Sequence, residues 1–366
     1  MTYTTIRLWA AAASAAALLV AGTSPPSRAQ EAPAAATEPA ATATEPGAAA
    51  SPSTSQDTTP PSQAALTPEF ETWLQGVRDE GLQRGLKQST IDAALTGLVP
   101  IPRVIELDRK QPEFTMTLQD YMARVVSPAR IERGRELMRE HRALLAEVEA
   151  KFHVQRRFVV ALWGIETDFG RLKGGFPVVQ ALATLAFDGR RSAYFRRELF
   201  DALSIIDQGH ITPEAMIGSW AGAMGQNQFM PSSFLRYAVD HDGDGRRDIW
   251  TNHADVFAST ANYLRTVGWR DDLTWGRPVR VPKGFDYGLA KLEIQKPIEE
   301  WHSLGVRRTD GSALPSRNLS ASIIVPGGNS GPAFMIYENF RVILKWNRAQ
   351  FFATAVGSLA DRLAGG

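Results

Sequence analysis

Between residues 66 and 215 the apolar side chains recur at helical spacing through segment after segment, and strand signals are few. Stretches such as PEFETWLQGVRDEGLQ, QSTIDAALTGL, PEFTMTLQDYMARVV and ARIERGRELMREHRALLAEVEAKF commit this half of the chain to a mainly α body. Thr67 before Pro68, and Ser89 followed by Asp92, stand where helices begin. After Trp275 the texture changes to short β-rich pieces, RPVRVP, SASIIVP, AFMIY and FRVILKW, divided by Gly, Pro and Asn clusters. Helical spacing returns from Asn347 to Leu363. No internal repeat is present. The resulting division is an α region at 65–272, a small β subdomain at 273–342 and a C-terminal helix at 343–366 that returns to the core.

The ends of the chain read differently. Arg7, the apolar run LWAAAASAAALLVAG and the small-residue site SRA ending at Ala29 mark residues 1–29 as a secretory signal peptide, because the run is short for a membrane span. Residues 30–64 are built from Ala, Pro, Thr, Ser and Glu. They hold too little apolar surface to offset chain entropy and are expected to form a disordered tether. There is no cysteine, so neither a disulfide framework nor a thiol for lipid attachment is available. The expectation is a soluble exported protein without a stable membrane anchor. The formal net charge of +1, with no basic stripe, argues against nucleic acid as a partner.

Within this α pattern the segment ALWGIETDFG, residues 161–170, carries a glutamate. On a helix at 100° per residue, Glu166 falls on a stripe with Val159, Trp163 and Gly170, beside Phe158, Leu162, Ile165 and Phe169. Asp168 falls on the opposite side with Arg157 and Ala161, where water can reach it. A carboxyl held against apolar surface has its pKa raised from about 4.3 to around 6, which suits a general acid near neutral pH. The competing reading is an ion pair with an arginine such as Arg171 or Arg191, or a side chain that escapes past the helix end marked by Gly170.

Two further motifs carry chemistry. GSWAGAMGQNQFMPSS, residues 218–233, combines small residues with Gln226, Asn227 and Gln228 and with the aromatics Trp220 and Phe229. Small residues admit a ligand to the backbone, amides bond hydroxyl and acetamido groups, and aromatic faces cover sugar rings; a tight turn between helices is the alternative. DHDGDGRRDIWT, residues 240–251, matches a calcium-loop template with Asp240, Asp242, Asp244 and Gly245. Arg246 would offer its carbonyl. Thr251 stands where the template has a bidentate glutamate, and Asp255 is the substitute carboxylate. A structural calcium or sodium ion is expected in the 240–255 loop, an unmetallated Asp-rich turn being the alternative. No organic cofactor is expected. The histidines do not form a zinc spacing.

Taken together, DRKQPEFT (108–115), WGIETDFG (163–170), ATLAFDGRRSAYFRREL (183–199), GSWAGAMGQNQFMPSS, the Asp-rich loop, ANYL (261–264) and WNRAQFFATAV (346–356) resemble the membrane-bound lytic transglycosylase B family. The resemblance implies a lysozyme-like α core, an additional α domain, a small β domain and an EF-hand-like loop. It implies cleavage of the β-1,4 bond between N-acetylmuramic acid and N-acetylglucosamine in peptidoglycan, with Glu166 as acid and then base and 1,6-anhydromuramyl ends as product. Ser219, Gln228, Tyr263 and Asn347 match positions lining the family's glycan cleft. Trp346 and Phe352 stand where the family commonly has tyrosine, which removes a hydroxyl at each. Peptidoglycan strands are the implied partner, the periplasm the implied location, and cell-wall synthesis or hydrolysis proteins are further partners to consider. A hydrolytic muramidase and a non-catalytic peptidoglycan-binding scaffold are the rival readings.

Overall fold

The computed structural model describes residues 67–109 and 116–365. The expected signal peptide, the tether and residues 110–115 of the DRKQPEFT motif lie outside the described residues. In chain order the helices of the first half are α1 (Pro68–Gln83), α2 (Gln88–Leu95), α3 (Pro102–Arg109), α4 (Leu118–Val125), α5 (Pro128–Glu140), α6 (Arg142–Phe152) and α7 (Arg156–Thr167). A two-residue strand β1 (Phe176–Pro177) leads into α8 (Val178–Asp188) and α9 (Ser192–Asp207). Strand β2 (Ile217–Gly218), which pairs antiparallel with β1, precedes α10 (Pro231–Tyr237) and α11 (His253–Thr266).

Thr67 caps α1 as its sequence suggests, its side chain accepting the Phe70 N–H at 3.3 Å. The start of α2 departs from expectation. Its cap residue is Lys87, with no local side-chain cap, and Ser89 lies inside the helix. A distant carboxylate does this work: Asp207 Oδ1, at the end of α9, accepts the Lys87 N–H at 3.0 Å and the Thr90 hydroxyl at 2.6 Å. Glu198 plays a similar part for α10. It is buried and accepts both the N–H and the hydroxyl of Ser232 at the first turn of that helix.

The second half contains the strands β3 (Gly276–Arg280), β4 (Lys296–Pro297), β5 (Arg307–Arg308), β6 (Ser320–Ile324) and β7 (Ala333–Ile336), with α12 (Ile298–Ser303) between β4 and β5. They form an antiparallel five-stranded sheet in the order β4-β6-β7-β3-β5, in which Gly276 faces Ile336 and Ile323 faces Met335. Val279, Ile298, Trp301, Ile323 and Met335 make a separate apolar cluster over this sheet.

FRVILKW, read above as β-rich, is helical. Helices α13 (Glu338–Trp346) and α14 (Gln350–Ala364) close the chain, with Asn347 as the cap that ends α13. The aromatic and β-branched residues of that stretch have strand propensity, but Asn339, Phe340, Val342 and Ile343 are the ones buried, which is a helical face rather than an alternating one. Asn339, in the first turn, ties this start to residues outside the helix. It accepts the Arg270 N–H at 2.9 Å and donates to the carbonyls of Arg270 and Leu273.

Helix α14 packs along α7, with α5, α6 and α11 also against the central pair of elements. That arrangement buries every residue of α7 from Phe158 to Thr167.

Candidate active site

Glu166 sits in the last turn of α7, 3% exposed. The helix ends at Thr167, and Asp168, Phe169 and Gly170 follow with φ of 51°, 59° and 79°. Three successive left-handed residues, two of them with side chains, are held only where the surroundings over-determine the backbone. The Thr167 hydroxyl supplies the anchor: it donates to the Gln226 carbonyl at 2.9 Å and accepts the Gly170 N–H at 3.0 Å. Gly170 is required at its position, because an added Cβ would lie 2.2 Å from Gln226 Oε1. The end of α7 is thereby locked to the 218–233 motif.

This turn corrects the placement of Asp168. It is not on the water-facing side of a continuing helix. Its carboxylate is drawn between Arg130, at 3.3 Å, and Arg171, and its side chain is 14% exposed. The two arginines considered as partners for Glu166 are thus engaged elsewhere, Arg171 with Asp168 and Arg191 with Asp108.

What Glu166 does meet is an aromatic wall. The Trp346 indole N–H donates to Glu166 Oε1 at 2.7 Å. Trp346 packs on Tyr263 and Phe229, with ring centroids 4.7 and 5.2 Å apart, and Tyr263 packs on Tyr237 at 4.5 Å. The Tyr263 hydroxyl is tied to the Lys345 carbonyl at 2.7 Å, and burial pushes its pKa well up. Asn347, 1% exposed, accepts the Ala349 N–H and fixes the corner from which Trp346 projects. The missing tyrosine hydroxyl at 346 is therefore replaced by an indole donor directed at the carboxyl. Phe352, the other departure, is buried in α14.

Ser219 and Gln228 serve the loop itself. Ser219, 1% exposed, accepts the Ala223 N–H at 3.0 Å, and Gln228, at φ 52°, donates to the carbonyls of Gly225 and Lys173. Gln226 ties the motif to α7, accepting the Trp163 indole N–H at 2.7 Å and donating to the Trp250 carbonyl.

Two residues near the site had no marker in the sequence. Tyr121, on α4, is buried, and its phenol pKa is pushed up first by burial and then by the charge of Glu166. Tyr237 ends α10 and extends the aromatic wall. Neither belongs to a spacing pattern; both are brought in by long-range packing.

In the Asp-rich loop, carboxylate oxygens of Asp240, Asp242 and Asp244 lie within 4.8 Å of one another. Gly243 and Gly245, at φ 77° and 88°, allow the loop to fold round them, and their N–H groups donate to Asp240. Three hard oxygen donors on such a loop fit a calcium-type ion. The structure does not bring Asp255 into that cluster. Asp255 is fully buried, and its two oxygens accept the N–H groups of His241 and Asp248, each at 2.7 Å, clamping the two ends of the loop. Burial, followed by the charges of Asp242 and Asp240, raises its pKa. Arg246 donates its N–H to Asp244 at 2.8 Å, and its guanidinium lies 3.5 Å from the same carboxylate.

Residues 69–361 match the Transglycosylase SLT domain family. The chain belongs to that family. Among curated proteins it is similar to membrane-bound lytic murein transglycosylase B of Escherichia coli (strain K12), at 29% identity over 250 residues. That match covers 67% of this chain and 66% of the relative, just under two thirds of the relative's length. Among solved structures it is similar to SltB3 from Pseudomonas aeruginosa in complex with NAG-anhNAM-pentapeptide, with a TM-score of 0.80, 45% identity, and 82% and 80% of the two chains covered. The Escherichia coli lytic transglycosylase Slt35 in complex with calcium aligns with a TM-score of 0.68 at 25% identity, covering 81% and 93%. This SLT-family chain thus shares the helical fold and the small antiparallel sheet of lytic transglycosylases.

Proposed function

We propose that this chain is a lytic transglycosylase that cleaves the β-1,4 bond between N-acetylmuramic acid and N-acetylglucosamine in peptidoglycan and leaves 1,6-anhydromuramyl ends. The observation that carries the reading is Glu166, buried at the end of α7 with an indole donor on one oxygen and an aromatic wall beside it.

In this reading Glu166 acts as the general acid and gives its proton to the glycosidic oxygen. Bond cleavage leaves positive charge at C1 of the muramic ring and a carboxylate on Glu166. The Trp346 N–H, 2.7 Å from Oε1, stabilises that carboxylate through a charge-assisted bond. Glu166 then removes the proton of the muramic C6 hydroxyl, whose oxygen attacks C1 of its own ring. One proton leaves the enzyme and one returns, and no water is consumed. The nucleophile is already tethered to the reacting carbon, which lowers the entropic barrier.

Hydrolysis through a pair of carboxylates would need a second acid near the first. Asp168, the nearest in sequence, is held in ion pairs with Arg130 and Arg171. Ser219, Gln228, Tyr263, Asn347 and Trp346 are assigned to the glycan cleft, Trp346 and Tyr263 as its aromatic face and the others as braces that shape it. A leader at 1–29 would direct the mature chain to the periplasm; no helix among the described residues is long and apolar enough to cross a membrane. Release of soluble muropeptides from purified peptidoglycan tests the reading; binding without release would favour the scaffold.

The role of Trp346 has its own test. Trp346→Phe keeps the ring and removes the donor, and is expected to lower kcat about tenfold with little change in KM, a cost of about 1.4 kcal/mol in the transition state. An unchanged kcat would remove Trp346 from the chemistry.

Asp240, Asp242 and Asp244 would hold a cation whose contribution is structural, joining the loop whose ends the Asp255 clamp closes, and Arg246 would add its carbonyl. If the loop is charged at about a hundred times Kd, chelation removes about 2.7 kcal/mol and lowers Tm by about 5 °C. Differential scanning calorimetry with and without chelator checks this. An unchanged Tm with lost turnover would contradict a structural ion.

A further inference from the structure

On the five-stranded sheet, arginines from separate segments gather round one phenol. Alternation along β3 turns Arg277 and Val279 to the same face. Arg277 stands opposite Met335 of β7, and Val279 stands opposite Arg308 of the edge strand β5. Arg277 and Arg308 are therefore diagonal neighbours on one face, about 7 Å apart at the backbone. Tyr337, two residues after Met335, continues that face and is 3% exposed. The Arg277 guanidinium lies 5.8 Å from the centre of its ring, and its hydroxyl donates to Met335 Sδ at 3.6 Å. Arg317, from the segment before β6, completes the group. Burial pushes the Tyr337 pKa up, while the charges of Arg277, Arg317 and Arg308 act on it in the opposite direction.

Like charges gathered on one face repel unless something negative stands among them. The neighbouring acids are occupied. Asp310 accepts the Ser312 N–H at 2.8 Å in the turn after β5. Asp361 accepts the Trp275 indole N–H at 2.9 Å and pairs with Arg157 at 3.0 Å. None of Arg277, Arg308 and Arg317 forms an ion pair among the described residues. Arg277 Nε is moreover buried and meets no acceptor among them. A buried donor without an acceptor is unfavourable, and an ion at this place would satisfy it. Arg308 and Arg317 are exposed, which leaves the approach open to solvent.

The donor set also selects the ion. Guanidinium forks match the oxygens of phosphate, and a dianion interacts with several fixed positive charges more strongly than a single carboxylate does. We propose that Arg277, Arg308 and Arg317 form an anion site on the β subdomain that takes a phosphoryl group, as free phosphate or as a phospholipid headgroup. The site uses no residue of the Glu166 cluster, and its test does not depend on glycan cleavage.

Isothermal titration of the full chain with inorganic phosphate, at an ionic strength held constant with chloride, is expected to show one saturable site. Arg308→Ala and Arg317→Ala should each weaken it about tenfold. Arg308→Lys keeps the charge but not the fork, and should recover only part of the affinity. Both arginines are exposed, so the fold is not at risk, and equal Tm values in phosphate-free buffer verify this. Lys283, an exposed cation in the loop after β3, is the control: Lys283→Ala should leave the affinity within about twofold. Cosedimentation with phosphatidylglycerol vesicles separates the two sources. Capture that is lost in Arg308→Ala assigns the phosphoryl group to a headgroup, and phosphate binding without capture assigns it to the free ion. Absence of binding to both probes would overturn the proposal. So would an equal loss in Lys283→Ala and Arg308→Ala, which would mark diffuse surface charge in place of a built site.

Discussion

Glu166→Gln is expected to lower turnover of peptidoglycan about a thousandfold while Tm stays within about 2 °C of wild type. The amide keeps the size of the carboxyl, and its oxygen can still accept the Trp346 indole N–H that now lies 2.7 Å from Oε1. The α7 turn depends on Thr167, Gly170 and Gln226 rather than on the charge of Glu166. What the amide lacks is a proton to give and a basic oxygen to receive one. Sedimentation of the variant with intact peptidoglycan should show binding retained. Near-normal turnover would mean that Glu166 is a buried structural carboxyl, and the proton donor would have to be sought elsewhere on the aromatic wall.

Gly357→Ala is expected to destabilise the fold by about 3 kcal/mol and to lower Tm by about 5 to 10 °C. In an exposed helix the same change would stabilise by about 0.5 to 1 kcal/mol, since glycine is a poor helix former. Here the sign reverses because a Cβ at 357 would lie 2.1 Å from the Trp275 ring, which is 1% exposed. The ring cannot easily retreat. Its N–H is bonded to Asp361 on the same helix at 2.9 Å, and its faces meet Phe334 and Phe340. Trp275 stands immediately before β3, so the contact joins the sheet to α14 and, through α14, to α7. Thermal denaturation of Gly357→Ala alone and combined with Trp275→Leu checks the mechanism: the double variant should recover part of the loss attributable to overlap. An unchanged Tm for the single variant would show that the indole moves freely.

The parts of this structure that were legible in the sequence are those written in local spacing. The apolar stripe that carries Glu166, and the aspartates at alternate positions 240, 242 and 244, were readable because one helix turn or one loop fixes their geometry. Helical extrapolation past Thr167 misplaces Asp168, because the chain there enters three left-handed residues held by Gln226, a residue 59 positions away from Thr167. FRVILKW misled for the converse reason: its composition favours a strand, and the packing of Phe340 and Ile343, together with the Asn339 bonds to Arg270 and Leu273, decides for a helix. Proximity in sequence to the metal loop points to Asp255 as a ligand, whereas its oxygens take the backbone N–H groups of His241 and Asp248. The aromatic wall is the least legible feature. Phe229, Tyr237, Tyr263 and Trp346 come from three helices and a loop, and only the tertiary fold packs them together with Trp346 on the Glu166 carboxyl.

The most direct test of the central claim is mass spectrometry of the muropeptides that the chain releases from purified peptidoglycan. Products lighter by one water than the corresponding reducing muropeptides, and absent with Glu166→Gln, are the predicted result, because attack by the muramic C6 hydroxyl consumes no water. Reducing ends in their place would contradict the account and require a second carboxylate to activate water.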